Sequence, residues 1–425
     1  MSGGARAAAL EAIRRVLEEG AYSNLAIDAV LGRAGLDERD RSFATELAYG
    51  SLRRRLVLEP AIEQRASRPL ARMTDAARRL LLLGAYQLRF TGVAPYAAVD
   101  ETVALAGPRE RGFVNAILRR LAAEPPAPPI GEDVAAIQAR TGMVAWAVRE
   151  LQHLVGSDAE DAAAALAEQA PLSLRVNRCR AAADEVLREL APMGAEPGRH
   201  DPHAVLLRAG RPSRLPGWDR GAFAVMDEAS SLVAATVGAQ PGDRVLDACA
   251  GPGGKTGALA CDVVPGGLVV AGDLYPARAG LVRSTLDRLG VAGSVVAHDA
   301  TRPPLRGGFD RILVDAPCSG LGSARRRPEL LWRPRKDRLS SLARHQVEIA
   351  VACADLLRPG GRLVYAVCTF PRAETDAACD AIVRHRPELV PVETAGPDGP
   401  SLRHRLWPHL HGTDGMFYAA FQLSS

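Results

Sequence analysis

The sequence predicts a multidomain protein that joins an all-α bundle, a small α/β module and a Rossmann-like α/β domain with a mostly parallel sheet. Apolar residues recur at spacings of three and four through residues 1–123, which is the period of an amphipathic helix. A proline-rich stretch at 124–133 then interrupts the chain, and from about residue 221 short apolar strands alternate with helices. The predicted units are therefore 1–123, 134–220 and 221–425, with 124–133 as a linker.

Composition excludes several classes of protein. The 425 residues are 47% hydrophobic and carry a formal net charge of +4, which suits packed globular domains. No uncharged apolar run predicts a membrane span and no basic-then-apolar leader opens the chain, so we expect a cytoplasmic protein without a membrane partner. The seven cysteines show no C-x-x-C spacing and no Cys/His cluster, which predicts free thiols and no metal site.

The elements follow from these patterns in chain order. The bundle is predicted from LAIDAVL, FATELAYGSL and ARRLLLLGAYQLRF, with further helices from 134 to about 169. The small module has a strand in PLSLRVNR, a helix in AADEVLREL and a strand in HAVLLRAG. The last unit has five predicted strands: RVLDACA, GLVVAGDL, GSVVAHDA, FDRILVDAP and GRLVYAVC. Ligands of such sheets bind beyond the carboxyl ends of the strands.

The stretch DACAGPGGKT after the first of these strands predicts a nucleotide-type loop. Its glycines Gly251, Gly253 and Gly254 let the backbone turn sharply and approach a ligand closely. A phosphate-binding G-x-x-x-x-G-K-S/T loop is disfavoured because Cys249 stands at the first required glycine. A dinucleotide G-x-G-x-x-G loop is disfavoured because Thr256 stands at its last glycine.

Three aspartates end successive strands of the same sheet. Asp273 is placed to accept hydrogen bonds from ribose hydroxyls, Asp299 to bind an adenine amino group, and Asp315 to face the reacting centre. One such aspartate would be read as the cap of the next helix, but three in a row favour a nucleoside site. Ribose and adenine contacts without a triphosphate cradle predict S-adenosylmethionine. Lys255, one of two lysines, is expected to contact its methionine carboxylate or the site backbone.

Two cysteines follow adjacent strands and open on the same edge. Cys318 lies in DAPCSGLG and Cys368 in YAVCTFP. A lone cysteine at a strand end is most often a buried residue of the core, but a pair suits the methylation of cytosine at carbon 5. A thiolate that adds to carbon 6 makes carbon 5 nucleophilic enough to take a methyl group, and Asp315 is placed as an acid near ring nitrogen 3. The chemistry leaves open which cysteine attacks.

These residues closely resemble the RNA cytosine-C5 methyltransferases, and specifically their bacterial ribosomal RNA branch, the Sun or RsmB group. The resemblance covers roughly residues 165–425 through FAVMDEASSLVA, DACAGPGGKT, the 273–278 stretch, DAPCSGLG, RRRPELLW with Gln346, LLRPGGRLVYAVC and GTDGMFYA. The first 123 residues resemble the NusB-type RNA-binding helical domain through LDERDRSFATELAYGSLRRR and RGFVNAILRRL.

The resemblance implies roles for the matching positions. The S-adenosylmethionine site would comprise Cys249, Ala250, Gly251, Pro252, Gly253, Gly254, Lys255, Asp273, Arg278, Asp299 and Asp315. Cys368 would be the nucleophile and Cys318 would help release the product. The partner would be ribosomal RNA, specifically 16S, with the small RRM-like module helping to bind it, and we expect a monomer. The alternatives are transfer RNA or 23S rRNA as target, a non-catalytic NusB-like antitermination factor, and a P-loop ATPase.

Four positions depart from the family pattern. Val367 stands where threonine is usual before the nucleophile, and Met226 where glutamine is usual. Thr285 and Thr375 each replace an expected asparagine. We nevertheless expect activity, because the cysteines and aspartates are intact.

Further RNA contacts are predicted from arginine-rich stretches. Arg325–Arg327 together with Trp332 suit phosphate contact and base stacking beside the site. The basic helix segments Arg53–Arg55 and Leu118–Arg120 are expected to help grip the RNA. A solvated basic face is the alternative for each of them.

Overall fold

The computed structural model describes residues 4–127 and 129–424, which form two compact units. The helical unit comprises the chain up to Glu168 together with Ala324–Pro334, and the α/β unit comprises Gln169–Ser323 and Arg335–Ser425. These limits differ from the predicted ones, because the helices after 134 pack with the bundle and no division occurs near residue 220. None of the helices among the described residues is long and apolar enough to cross a membrane.

The described residues of the helical unit form ten α-helices, which confirms the all-α prediction for the first part of the chain. Asp37, Thr74 and Asp133 each cap a helix by accepting a hydrogen bond from the backbone N–H three residues ahead. The helices are α1 Ala5–Glu18, α2 Ser23–Arg33, α3 Glu38–Arg53, α4 Arg55–Glu63, α5 Asp75–Phe90, α6 Pro95–Ala104, α7 Pro108–Ala123, α8 Val134–Thr141, α9 Ala145–Val155 and α10 Ala159–Leu166.

The segment Ala324–Pro334 belongs to the core of the helical unit. Trp332 packs against the bundle, its indole N–H donates to the Leu52 carbonyl at 3.1 Å, and the Arg55 guanidinium lies 4.4 Å from its ring centroid. The Glu329 carboxylate is fully buried and accepts the Ser23 N–H at 3.1 Å. This segment therefore completes the bundle from a distant part of the sequence.

The predicted RNA contact of Arg325 is contradicted by its burial, whereas Trp332 is partly exposed and its RNA contact remains a prediction. Arg325 is 8% exposed, and its carbonyl accepts a hydrogen bond from Arg53 at 2.8 Å. Arg53 is also buried, contrary to its predicted RNA contact, and burial lowers its guanidinium pKa. Arg119 remains exposed, as the RNA prediction for its helix requires.

The α/β unit begins with a four-stranded antiparallel sheet of order β2-β3-β1-β4. One face of β1 buries Leu174 and Val176 against the helix α11. On its other face the Arg175 guanidinium donates to Ser231 of α12 at 2.6 Å. Both faces of β1 are buried, so bases cannot stack on this strand as they do on an open RNA-binding sheet. The elements are β1 Leu172–Val176, α11 Ala183–Leu190, β2 Glu196–Pro197, β3 Ala204–Leu207, β4 Phe223–Val225 and α12 Glu228–Thr236.

The second sheet has eight strands, and the path β10-β12-β9-β8-β5-β6-β7 joins seven of them while β11 pairs with β12. The five strands from β9 to β7 are parallel and β12 runs antiparallel to β9, which confirms the mostly parallel prediction. The elements are β5 Arg244–Asp247, α13 Gly254–Asp262, β6 Leu268–Asp273, α14 Pro276–Leu289, β7 Ser294–Ala297, β8 Phe309–Asp315, α15 Leu339–Ala354, β9 Leu357–Val367, α16 Asp376–His385, β10 Leu389–Val392, β11 Arg403–Leu406, α17 Pro408–His411 and β12 Met416–Leu423.

Two of the cysteines are paired, contrary to the prediction that all thiols are free. Cys179, which follows β1, and Cys261, near the end of α13, form a disulfide although 82 positions separate them in the chain. Sequence spacing gave no sign of the pair because the fold alone brings the two Cα atoms to 5.7 Å. The remaining cysteines lie outside this disulfide and keep their thiols: Cys249, Cys318, Cys353, Cys368 and Cys379.

Candidate functional site

The carboxyl ends of β5, β6, β8 and β9 bring the predicted polar residues to one edge of the parallel sheet. Asp273 ends β6 and Asp315 ends β8, and Cys368 follows the last residue of β9. The glycine loop follows β5, whose neighbours in the sheet are β6 and β8. The predicted clustering at this edge is therefore observed.

The glycine loop is shaped by close contacts that leave no room for larger residues. The Ala250 N–H donates to the Gly272 carbonyl at 2.7 Å, which fixes the loop to β6. A Cβ atom at Gly251 would lie 2.5 Å from the Asp273 carboxylate. Gly253 begins α13 at φ 103°, and a Cβ atom there would lie 3.1 Å from the Val282 backbone. The loop thus forms a backbone cradle at the amino end of α13, where N–H groups face the sheet edge.

Asp273 sits under this cradle with both carboxylate oxygens engaged. It is 5% exposed, accepts the Gly251 N–H at 3.1 Å and pairs with the Arg278 guanidinium at 2.9 Å. Arg278 also donates to the Gly251 carbonyl at 2.9 Å. The Thr285 hydroxyl donates to the Pro252 carbonyl at 2.8 Å, so threonine anchors the loop at this departure from the family pattern. The residues present fit a nucleoside with ribose hydroxyls above a carboxylate.

Asp299 lies at the same edge but makes local contacts. Its side chain is exposed and accepts the N–H and the hydroxyl of Thr301 at 2.9 and 2.7 Å. These hydrogen bonds lower the carboxyl pKa. The local capping interpretation of this aspartate is thus observed, and its contact with adenine remains a prediction.

Asp247, the last residue of β5, is a buried group that the sequence analysis missed. Its carboxylate accepts the Thr256 hydroxyl at 2.7 Å, which ties the first turn of α13 to the strand. Burial raises its pKa to about 7. The signal was present in the sequence, because Asp247 precedes the glycine loop directly and Thr256 follows it.

The two predicted cysteines meet at the same sheet edge as a partly buried ion pair. The Sγ atoms of Cys318 and Cys368 lie 3.4 Å apart. Lys255 Nζ lies 2.7 Å from the Asp315 carboxylate and 3.2 Å from the Ser230 hydroxyl. Lys255 thus pairs with Asp315, and its contact with the methionine carboxylate or the site backbone remains a prediction.

Neighbouring groups in this cluster shift the pKa values of Lys255 and Cys318. Burial acts against the Lys255 ammonium, but the Asp315 carboxylate outweighs burial and the Lys255 pKa is raised, with Cys368 adding to the effect. The Cys318 pKa is raised first by its hydrogen bond to Cys368 and then by burial. Burial raises the Cys353 pKa to about 12, as for a thiol in a core.

The departures from the family pattern lie close to these groups. Val367 is fully buried in β9, and Met226 is 6% exposed with its sulfur 3.6 Å from the position of a Cβ atom on Gly254. Thr375 donates to the Pro371 carbonyl at 3.0 Å. Each replacement is accommodated by packing or a local hydrogen bond, and the two thiols remain adjacent.

We expect Asp273→Asn to weaken S-adenosylmethionine binding about 10- to 100-fold, because a hydrogen bond to a charged acceptor contributes about 1.5–3 kcal/mol. Isothermal titration of the purified protein measures the change. The matched control is Asp287→Asn, which alters an exposed aspartate of α14 and should leave the dissociation constant unchanged. An unchanged constant for Asp273→Asn would remove Asp273 from the cofactor site.

The parallel sheet, the glycine cradle and the acidic strand ends together define an S-adenosylmethionine-dependent methyltransferase of Rossmann-like fold. The 16S rRNA methyltransferase RsmB/F profile matches residues 234–422. The NusB family matches residues 4–123, and an RsmF/B-like ferredoxin-like domain matches residues 144–213. The chain belongs to the RsmB/F family of ribosomal RNA methyltransferases, which confirms the predicted family, fold class and cofactor.

Full-length relatives support this assignment. A Mycobacterium tuberculosis protein named as a methyltransferase is 38% identical over 98% of this chain and 96% of its own length. The ribosomal RNA small subunit methyltransferase B of Salmonella newport is 33% identical over 97% of each chain. The solved structure of the protein PH0851 has a TM-score of 0.84 over 98% of each chain at 23% identity, which supports the fold alone.

Proposed function

We propose that this protein methylates carbon 5 of a cytosine in 16S rRNA through a covalent cysteine adduct. The observation that carries the proposal is the 3.4 Å approach of the Cys318 and Cys368 sulfurs beside the pair formed by Lys255 and Asp315. A methyltransferase that acts on an amino group or a hydroxyl needs no pair of thiols. Carbon 5 of cytosine does need one thiolate to activate it and one base to take its proton.

Cys368 is the better candidate for the nucleophile. The raised pKa of Cys318 leaves its proton between the two sulfurs, so that the Cys318 thiol stabilises a Cys368 thiolate. The Lys255 ammonium interacts favourably with the same sulfur. Electrostatics thus favours the assignment that the residues alone left open.

The Cys368 thiolate bonds to carbon 6, the electrons of the 5,6 double bond move toward carbon 5 and nitrogen 3, and nitrogen 3 takes up a proton from water. Bound S-adenosylmethionine would supply a sulfonium methyl group, which accepts the electron pair of carbon 5 while its bond to sulfur breaks and leaves a neutral thioether. The Cys318 thiolate then removes the proton of carbon 5, the 5,6 double bond re-forms, and the bond from carbon 6 to Cys368 breaks with its electrons returning to sulfur, while nitrogen 3 gives its added proton back to water.

Cys318 becomes able to act as a base once the adduct exists. Its pKa is raised mainly by the hydrogen bond to Cys368, and a Cys368 sulfur bonded to carbon no longer carries the charge that holds that proton. Cys318 is partly exposed and loses its proton to solvent at this stage. The two sulfur atoms thereby favour attack by Cys368 on the base first and release of the methylated base afterwards.

The pair of Lys255 and Asp315 suits recognition of cytosine. A carboxylate accepts N–H groups, and the activated ring presents them at nitrogen 3 and at the exocyclic amine. An ammonium donates to a carbonyl oxygen such as that of carbon 2. Uracil would place a carbonyl oxygen against the Asp315 carboxylate, which is repulsive.

The names of the full-length relatives support 16S rRNA over transfer RNA or 23S rRNA as the target. The intact thiol pair argues against a non-catalytic NusB-like factor, for which two adjacent thiols would have no use. We propose a monomer that acts on RNA in the cytoplasm.

The test is to identify the methylated base. Purified protein with labelled S-adenosylmethionine should form 5-methylcytidine in 16S rRNA and release one tritium from [5-³H]cytidine for each methyl group transferred. Transfer RNA and 23S rRNA are tested in parallel under the same conditions. Methylation without tritium release, or methyl groups found on a nitrogen or a ribose, would refute the proposal.

A further inference from the structure

One buried carboxylate beside the two cysteines has no part in the steps above. Glu374 ends a short turn, Arg372–Glu374, that follows β9, and its side chain is fully buried. Burial raises its pKa. A buried carboxylate is costly unless several donors satisfy it, so its partners indicate what it is held there to do.

The side-chain partners of Glu374 come from two segments, the loop after β8 and helix α15. Oε1 accepts the Ser319 backbone N–H and the Gln346 amide, both at 2.9 Å, and Oε2 accepts the Ser319 hydroxyl at 2.6 Å. The Ser319 hydroxyl is also 2.7 Å from that of Thr369. The Tyr365 hydroxyl lies 2.9 Å from the Gln346 amide oxygen and supports the network from β9.

The direction of this chain of hydrogen bonds is fixed by the carboxylate. An ionised carboxylate can only accept hydrogen bonds, so the Ser319 hydroxyl donates its hydrogen bond to Glu374. Ser319 must then accept from the Thr369 hydroxyl. All the donors point toward one charged group, which makes the network stronger than neutral hydrogen bonds of the same lengths.

We propose that Glu374 is a positioning residue that ties the loop of Cys318 to the loop of Cys368. Ser319 directly follows Cys318, and Thr369 directly follows Cys368. Each end of the tie is thus one residue from a reacting sulfur. The inference rests on the proposed function, because the tie matters if Cys318 must reach a base bonded to Cys368.

The expected consequence is specific to product release. Attack requires only Cys368, whereas release requires both sulfurs at a fixed separation. A misplacement of about 1 Å costs up to roughly 100-fold in rate. Loss of the tie should therefore slow release and leave initial adduct formation nearly unchanged.

Three variants and one control test this inference. Glu374→Ala removes the tie, and a denaturation-resistant protein–RNA adduct should accumulate while turnover falls roughly 10- to 100-fold. Glu374→Gln keeps an oxygen that accepts from the Ser319 and Gln346 N–H groups, and its amide NH₂ can donate to the Ser319 hydroxyl. Release should therefore recover to within about threefold of the parent rate. If Glu374 acted through its charge, Glu374→Gln would be as slow as Glu374→Ala.

Thr369→Val covers the case in which Glu374→Ala does not fold, because it cuts the tie between Ser319 and Thr369 while the buried carboxylate keeps all three of its donors. It should also accumulate adduct, to a smaller extent. The matched control is Thr236→Val, which removes a buried hydroxyl that donates within its own helix α12 at 2.9 Å. This control should release product at the parent rate.

A second measurement needs no RNA. A bifunctional bimane that fluoresces only after both of its arms have reacted should bridge Cys318 and Cys368 in the parent protein, with Cys318→Ala as the blank. Bridging should slow at least fivefold in Glu374→Ala and recover in Glu374→Gln. Unchanged bridging and release in Glu374→Ala and Thr369→Val would overturn the tie. A parent protein that makes no 5-methylcytidine would instead overturn the proposed function, and the bimane result would still judge the tie.

Discussion

Replacing Cys368 with alanine is expected to lower the methylation of 16S rRNA by roughly 10⁴-fold or more and to abolish the covalent adduct. The loss should be this large because no other group can supply the bond to carbon 6, and loss of a nucleophile typically costs most of the chemical acceleration. Binding of S-adenosylmethionine should stay within about threefold of the parent protein. Methyl transfer to 16S rRNA, adduct mobility under denaturing conditions and cofactor titration measure these quantities.

The matched control is Cys379→Ala. Cys379 is also a free thiol of the α/β unit, but it is buried in α16, where burial raises its pKa to about 12. This variant should lose about 1 kcal/mol of stability and keep its activity. If Cys368→Ala still formed an adduct, the attacking sulfur would be that of Cys318 and the proposed order of events would be reversed.

The strand ends were the part of the site that the sequence predicted best. Asp273, Asp315 and Cys368 each end or follow an apolar run, and in a parallel sheet such residues meet at one edge. The position of Cys318 in the loop after β8 followed in the same way. Periodicity therefore predicted which residues gather, although it carried no information on the 3.4 Å between the sulfurs.

The contacts that the sequence did not predict join distant parts of the chain. Trp332 and Leu52 are 280 residues apart, and no local pattern shows that the indole N–H donates to that carbonyl. The arginines near Trp332 suggested a surface, because charge in a sequence is normally read as exposure. The burial of Arg325 depends on helices from the other end of the chain.

Glu374 illustrates the same limit within the site. In the sequence it matches the glutamate of the Glu-Asn pair that the family shows after the nucleophile, but an exposed charge is the ordinary expectation for a loop. Its burial depends on Ser319 from the loop after β8 and Gln346 from α15. Lys255 is similar, because its partner Asp315 is 60 residues away. The sequence predicted a cofactor contact for Lys255 and a role as an acid near ring nitrogen 3 for Asp315, with no contact between them.

Replacing Cys318 with alanine is expected to trap the protein on its RNA with the methyl group already transferred. Attack by Cys368 and transfer of the methyl group do not need Cys318, whereas removal of the proton from carbon 5 does. Turnover should fall by roughly 10²–10⁴-fold, the usual contribution of a positioned base. After reaction with [methyl-³H]S-adenosylmethionine, gel electrophoresis under denaturing conditions should show the label comigrating with a protein–RNA complex.

The pH dependence of release separates this loss from one caused by misfolding. Cys318 works as a base only after its thiol in the adduct has lost its proton to solvent. Release by the parent protein should therefore speed up as the pH rises toward the pKa of that thiol, while the residual release of Cys318→Ala should lack that rise. An unlabelled adduct in Cys318→Ala would place Cys318 before methyl transfer, and rapid release without an adduct would give the role of base to another group.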